Sequence, residues 1–188
     1  MSRGLGDVYK RQALDIELLQ LNDLHQAIQF AIYTRQLLFP EVYQSELPHD
    51  LTHFSPTYLE HPQGACFVVK DKRTIIGMVA YQAYNHRFNL DLPLKVVEVV
   101  KLFIQPEYRR QGLASQLCHA LFEYAQRQNI RHFYLHTHPF LPAAEYFWQK
   151  QGFQVIHREW LAHYDTIHML KTSQSTSCCM MNLRSSSI

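Results

Sequence analysis

Arg109, Arg110 and Gly112 stand where a run of β-branched residues gives way to an amphipathic segment, in the stretch 98–116 that reads EVVKLFIQPEYRRQGLASQ. A turn from a buried strand into a helix start aims unpaired backbone N–H groups at one spot. With the helix dipole behind them and two arginines beside them, such groups hold a phosphate without a metal, worth up to ~2 kcal/mol in good geometry. Glycine suits the position where backbone must touch the anion, because a Cβ would hold the phosphate off. Glu98 lies fourteen residues before Gly112. Period-2 alternation puts it on one face with Val100, Leu102 and Ile104, so it is expected to be a carboxylate in apolar company whose pKa burial raises toward that of a useful base. The other reading open for Glu98 is a strand-end carboxylate paired to a nearby Arg or Lys. His136 and His138 share a face of the next strand with His132 and Tyr134. Either could be a base or a ligand for a second substrate, with His138 ahead of His136, or all could be the less buried side of a strand. No third metal ligand is spaced with them, so no metal is expected.

The surrounding pattern supplies elements that can position these groups. Residues 16–21 read as a first strand, and Asn22 or Asp23 can cap a helix with the apolar stripe Leu24, Ala27, Ile28, Ala31 and Ile32. Residues 40–62 are aromatic, proline-broken and histidine-bearing, with room for one short helix; they are either a connection packed by its own aromatics or a wall for an acceptor. Residues 65–70 and 74–84 read as a hairpin turning at Asp71, Lys72 and Arg73, with Gly77 marking a bulge or a close approach. A loop over 85–94 leads into the motif strand, and a helix over 112–128 carries Leu113, Leu117, Leu121 and Tyr124 at helical spacing. A strand over 131–137, a helix over 142–151 ending at Gly152, and a hairpin of 153–160 with 166–171 complete the order.

The chain has 188 residues, 47% of them apolar, which fits one compact domain. Its formal charge of +2, with no long Lys/Arg run, gives no reason to expect a nucleic-acid partner. Four cysteines (Cys66, Cys118, Cys178, Cys179) form neither a disulfide framework nor a CxxC metal pattern, and a reducing cytoplasm fits them. No apolar run reaches membrane-spanning length, so no membrane partner is expected. Residues 1–12 and 173–188 lack an apolar period; the first is expected to be a disordered leader or artefact and the second a disordered tail, around a domain over 13–172.

Arg109, Gly112 and Ala114, with the lead-in Pro106-Glu107-Tyr108, match the pattern (Gln/Arg)-x-x-Gly-x-(Gly/Ala) and resemble the acetyl-CoA signature of the GCN5-related N-acetyltransferase superfamily. About 40 residues on, Phe147 to Phe153 (FWQKQGF) resembles that family's closing helix and Gly-Phe. The resemblance implies a single α/β domain, with helices flanking a mixed, mostly antiparallel sheet of about seven strands. It implies an N-acetyltransferase that passes the acetyl group of acetyl-CoA to a small-molecule amine by direct attack in a ternary complex, without a metal, as a monomer or homodimer. It also implies that Leu102, Phe103, Ile104, Arg109, Arg110, Gln111, Gly112, Leu113, Ala114, Ser115 and Trp148 hold the cofactor, with Glu98 catalytic; His138 joins Glu98 as a catalytic candidate on its place in the strand alone. Two positions depart from the pattern: Trp148 stands where the family usually has an acidic tyrosine, and Leu141 where an asparagine is common. Tyr146 is some 200° round the helix from Trp148 and should not replace that tyrosine. Transfer of another acyl group or to an oxygen acceptor shares every motif, and a non-catalytic CoA-binding sensor is compatible with the missing tyrosine.

Overall fold

The computed structural model describes residues 14–40, 46–141, 143–161 and 164–173. The leader, and the tail beyond Ser173, lie outside these residues. Ser173 itself, assigned to the tail by sequence, is buried and its N–H donates to the Arg131 carbonyl, so the packed domain extends at least that far.

Seven strands form one sheet in the order β1-β2-β3-β4-β5-β7-β6. They are β1 (Asp15–Leu18), β2 (Ala65–Asp71), β3 (Thr74–Ala83), β4 (Val96–Ile104), β5 (His132–Thr137), β6 (Gln154–Leu161) and β7 (Tyr164–Thr172). Every neighbouring pair is antiparallel except β4 and β5, which are parallel because helix α3 (Leu113–Arg127) carries the chain back across the sheet between them. Helix α1 (Leu24–Leu38) buries Ala27, Phe30 and Ala31 against Val68, Met78, Ala80 and Phe103 on one face. On the other face α3 buries Leu117, Leu121 and Ala125 against Val69, Val79, Val97 and Val99. Burying each of the two leucines contributes roughly 1.5–3 kcal/mol. Trp148 on α4 (Ala144–Lys150) joins that second layer.

Two local expectations change and two hold. The first strand stops at Leu18, and residues 21–23 turn instead as a short 3-10 helix. Asp23 does precede α1, but its side chain makes no cap; it accepts from Lys70 Nζ at 2.6 Å, a half-buried ammonium that also meets Glu17. Segment 40–62 contributes α2 (His49–Thr52) and a π turn at Pro56–Glu60, with Phe54 and Tyr58 buried against each other and the core. At Gly77 the close approach is real: a Cβ would come within 2.4 Å of Ile104 Cδ1 and 2.7 Å of Val69 Cγ1, beside a break in the β2–β3 register at Val69/Lys70.

The largest departure lies in β4. Its register with β3 slips between Val100 and Phe103, where Lys101 takes φ +59°, so one extra residue is inserted as a bulge. Alternation therefore reverses: Glu98, Val100 and Phe103 face the α1 side, whereas Leu102 and Ile104 face α3. Glu98 does not share a face with Leu102 and Ile104, because strict period-2 counting fails across a bulge.

Candidate active site

Strands β4 and β5 pair only from Val96 to Glu98 against His132 to Tyr134. Beyond that point both continue, but they part. A cavity of about 830 Å³ occupies the opening, lined from one side by Val99–Ile104 of β4 and from the other by Leu135, His136 and Thr137 of β5. The separation leaves one edge of β4 with backbone groups for an extended polar ligand to pair with.

At one end of this cavity the chain forms the turn that the sequence singled out. Arg110 (φ +63°) and Gly112 (φ +79°) are both left-handed, and Gly112 is the N-terminal cap of α3 with no side chain capping the helix. Space is not what requires glycine here, since a Cβ would find only Gln116 Nε2, at 3.5 Å; the positive φ is. Left-handed residues interleaved in a turn gather N–H groups into a concave nest, and the first N–H groups of α3 have no intrahelical acceptor, so anion-binding groups converge at the cavity mouth. Arg109, Arg110, Gly112, Leu113, Ala114 and Ser115 line it there, as do Leu102, Phe103, Ile104 and Trp148. Gln111 is exposed and is not part of the lining. Arg109 is held in place by its Nε donating to the Ile104 carbonyl at 3.0 Å and by lying over the Phe103 ring.

Glu98 is fully buried, as expected, but it is not in apolar company. Arg87, from the loop before β4, grips it with both nitrogens of its fork: Nη1 donates to Oε2 at 2.8 Å and Nη2 to Oε1 at 2.5 Å. Gln82 Nε2 adds a bond at 3.2 Å, and His136 Nδ1 lies 3.2 Å from Oε1. Burial by itself pushes the Glu98 pKa up and is the largest single influence. The hydrogen bonds from His136 and Arg87, and their charge, together outweigh it and hold the carboxyl down at about 2. The expected elevation is thus reversed, and the paired-glutamate reading describes what is found. Glu98 also does not line the cavity.

His136 does line the cavity; His138 does not, although it was placed first. His138 sits past the end of β5 in an aromatic group at the rim, stacked on Phe140 and near Phe39 and Tyr164, with Nδ1 3.1 Å from the Asp165 carbonyl and its pKa lowered by burial. Trp148 is buried between Phe147 and Phe153 and presents no acidic proton, whereas Tyr146 is 60% exposed, lies outside the cavity lining and has Lys150 Nζ over its ring. Helix α1 brings Thr34, Arg35 and Leu38 to the far end of the cavity, and α2 brings Leu51, so segment 40–62 is both self-packed and part of the wall. Lys101, at the bulge, also lines it while meeting Asp50 at 2.5 Å.

Sequence reasoning missed Arg87. The signal was present in part, since hairpin pairing of Gln82 with Glu98 leaves Arg87 in a loop that must fold back over that same pair. Nothing in the pattern distinguished it from an exposed loop arginine. Among the described residues no cluster of metal-binding side chains occurs, and no helix is long and apolar enough to cross a membrane.

Comparison with known proteins agrees with this fold. N-acetyltransferase 8 from Homo sapiens is 27% identical over 106 residues, 56% of this chain and 45% of the relative, so the chain spans less than half the length of that curated protein. The acetyltransferase of the GNAT family from Staphylococcus aureus Mu50 superposes with a TM-score of 0.68 at 19% identity, covering 85% of this chain and 99% of the other. The PaiA N-acetyltransferase from Thermoplasma acidophilum, solved in complex with coenzyme A, gives a TM-score of 0.60 at 17% identity, with 86% and 100% covered. Residues 28–153 match the sequence model of the Acetyltransferase (GNAT) family, and the chain belongs to that family.

Proposed function

We propose that the protein is an acetyl-CoA-dependent N-acetyltransferase that acts on a small amine by direct attack in a ternary complex. The observation that carries this reading is a single continuous cavity, running from the nest at Arg110 and Gly112 through the parted strands to His136 and the α1 wall. A pyrophosphate fits the nest, and an extended amide-bearing arm fits the unpaired edge of β4. The thioester then falls where β4 and β5 separate, and an acceptor can enter from the α1 side. The PaiA relative was solved with coenzyme A, which supports the first half of this placement.

Direct attack is favoured because neither described cysteine can serve as an acyl carrier. Cys66 and Cys118 are buried and outside the cavity lining, and burial pushes both thiols up to about 12. An alkylamine of pKa ~10.4 must lose a proton before it attacks. The CoA thiolate, with a parent thiol near pKa ~8.5, departs without a dedicated acid, consistent with Trp148 in place of tyrosine. A reducing, cytoplasmic setting suits the two unpaired thiols.

The test follows CoA thiol release from acetyl-CoA with a panel of primary amines and matched alcohols, alongside longer acyl-CoA donors. Turnover is expected with acetyl-CoA and at least one amine, and none with the alcohols. CoA binding by calorimetry without turnover of any acceptor would replace the enzyme with a sensor module, and a preference for longer acyl groups or alcohols would replace the acetyl-to-amine reading.

A further inference from the structure

We infer that His136, through Nε2, is the base that deprotonates the acceptor ammonium, and that Glu98 and Arg87 position it; the inference rests on the proposed transferase reading. Glu98 is the obvious acidic group near the cleft, but it has no access to an acceptor. It is fully buried, is absent from the cavity lining, and has both oxygens engaged by Arg87. His136 is the titratable side chain that touches both the Glu98 network and the cavity.

The tautomer follows from the partners. His136 Nδ1 lies 3.2 Å from Glu98 Oε1 and 3.5 Å from Arg87 Nη2. An ionised carboxylate can only accept and a guanidinium can only donate, so the two contacts compete for Nδ1. The carboxylate is the nearer, and Arg87 Nη2 is already engaged by the same oxygen, so Nδ1 carries the proton and the lone pair is left on Nε2. Arg87 cannot be deprotonated and is itself fixed, with Nη1 donating to Asn85 Oδ1 at 3.2 Å and the guanidinium lying over Phe88. Arg87 therefore holds Glu98, Glu98 holds Nδ1–H, and Phe88 packs edge-on against the imidazole at 5.4 Å between ring centres. The other ionisable groups around His136 are Tyr134 and His138 on its own strand segment and His168 on β7, with ring centres at 6.5, 5.8 and 6.4 Å. Arg35 and Lys101 share the cavity.

In the step, Nε2 takes one proton from the acceptor ammonium. The neutral amine nitrogen bonds to the thioester carbonyl carbon and the C–S bond breaks. The second N–H proton ends on the CoA sulfur, and the imidazolium returns its proton to solvent through the cavity mouth.

His136→Gln is expected to lower kcat a hundredfold or more, to remove the acid limb of the pH–rate profile, and to leave CoA affinity within about twofold; general-base groups typically contribute ~10²–10⁴-fold. Added imidazole should restore part of the rate in His136→Ala. Glu98→Gln should lower kcat less than His136→Gln and shift the limb rather than abolish it. Nitrogen-detected NMR of the unliganded protein supplies a readout without turnover: His136 should show a protonated Nδ1 in the wild type and a mixture of tautomers in Glu98→Gln. A kcat within threefold of wild type in folded His136→Gln, or a protonated Nε2 in the neutral ring, overturns the assignment while the transferase reading stands. A wild type that turns over no amine overturns the transferase reading and the assignment with it.

Discussion

The Arg87–Glu98–His136 network makes a quantitative prediction about stability that needs no substrate. Glu98 falls from an ordinary value near 4.5 to about 2 in the folded chain. A depressed carboxyl stabilises the fold at pH values above its unfolded pKa, and that stabilisation is lost as pH falls toward the folded pKa. The difference corresponds to ~3 kcal/mol at full ionisation, of which about 2 kcal/mol should disappear between pH 5.5 and pH 3. Other carboxylates titrate in the same window, so the quantity to compare is the loss in wild type against the loss in Glu98→Gln, which keeps the shape but cannot ionise. Urea unfolding followed by circular dichroism at pH 5.5, 4 and 3 gives both. Wild type should lose about 2 kcal/mol more than Glu98→Gln over that range. Losses that agree within ~0.5 kcal/mol would mean that Glu98 has a near-normal pKa in the folded chain, and would refute the claim that its hydrogen bonds outweigh its burial.

Four further substitutions test other parts of the structure. Gly112→Asp adds a side chain in a left-handed position, at a strain of roughly 1–2 kcal/mol, together with a negative charge at the start of α3. Calorimetry should show CoA binding at least tenfold weaker in a folded variant, and unchanged affinity would remove the nest from the proposed site. Gly77→Ala drives a Cβ into Ile104 and Val69 and should cost ~1–3 kcal/mol, seen as a fall in Tm of several degrees; an unchanged Tm would show that β3 moves away from β4 easily. Trp148→Tyr restores the residue usual in the family and should leave turnover the same or lower, because departure of the thiolate is not limiting. Tyr146→Phe should fall within about twofold of wild type, and a tenfold loss with CoA affinity intact would make Tyr146 the acid despite its exposure.

The parts of this molecule that were legible in the sequence are those set by contacts close along the chain. Leu113, Leu117 and Leu121 mark α3 because a helix repeats every 3.6 residues, and Gly112 marks its start because the turn needs a positive φ that other residues resist. The hairpin of β2 and β3 and the succession of strands and helices along the chain follow from alternation and turn residues in the same way, whereas the order of the strands across the sheet does not. The chemistry of Glu98 was misjudged because two non-local facts decide it. The first is a bulge at Lys101, a non-glycine residue with positive φ, which the composition of the strand does not announce; it reverses which side chains face α3. The second is the choice of partner. Eleven residues upstream an arginine folds back from the β3–β4 loop, and from the next strand a histidine arrives across the start of the cleft. Burial and pairing act on a carboxyl in opposite directions and with comparable size, so the sign of its pKa change depends on whether those donors reach it. The apolar residues around a buried glutamate predict its exposure and say nothing of its partners. At a cleft between parted strands, where backbone no longer fills the gap, the partners decide whether the carboxylate is the base or the group that aims one.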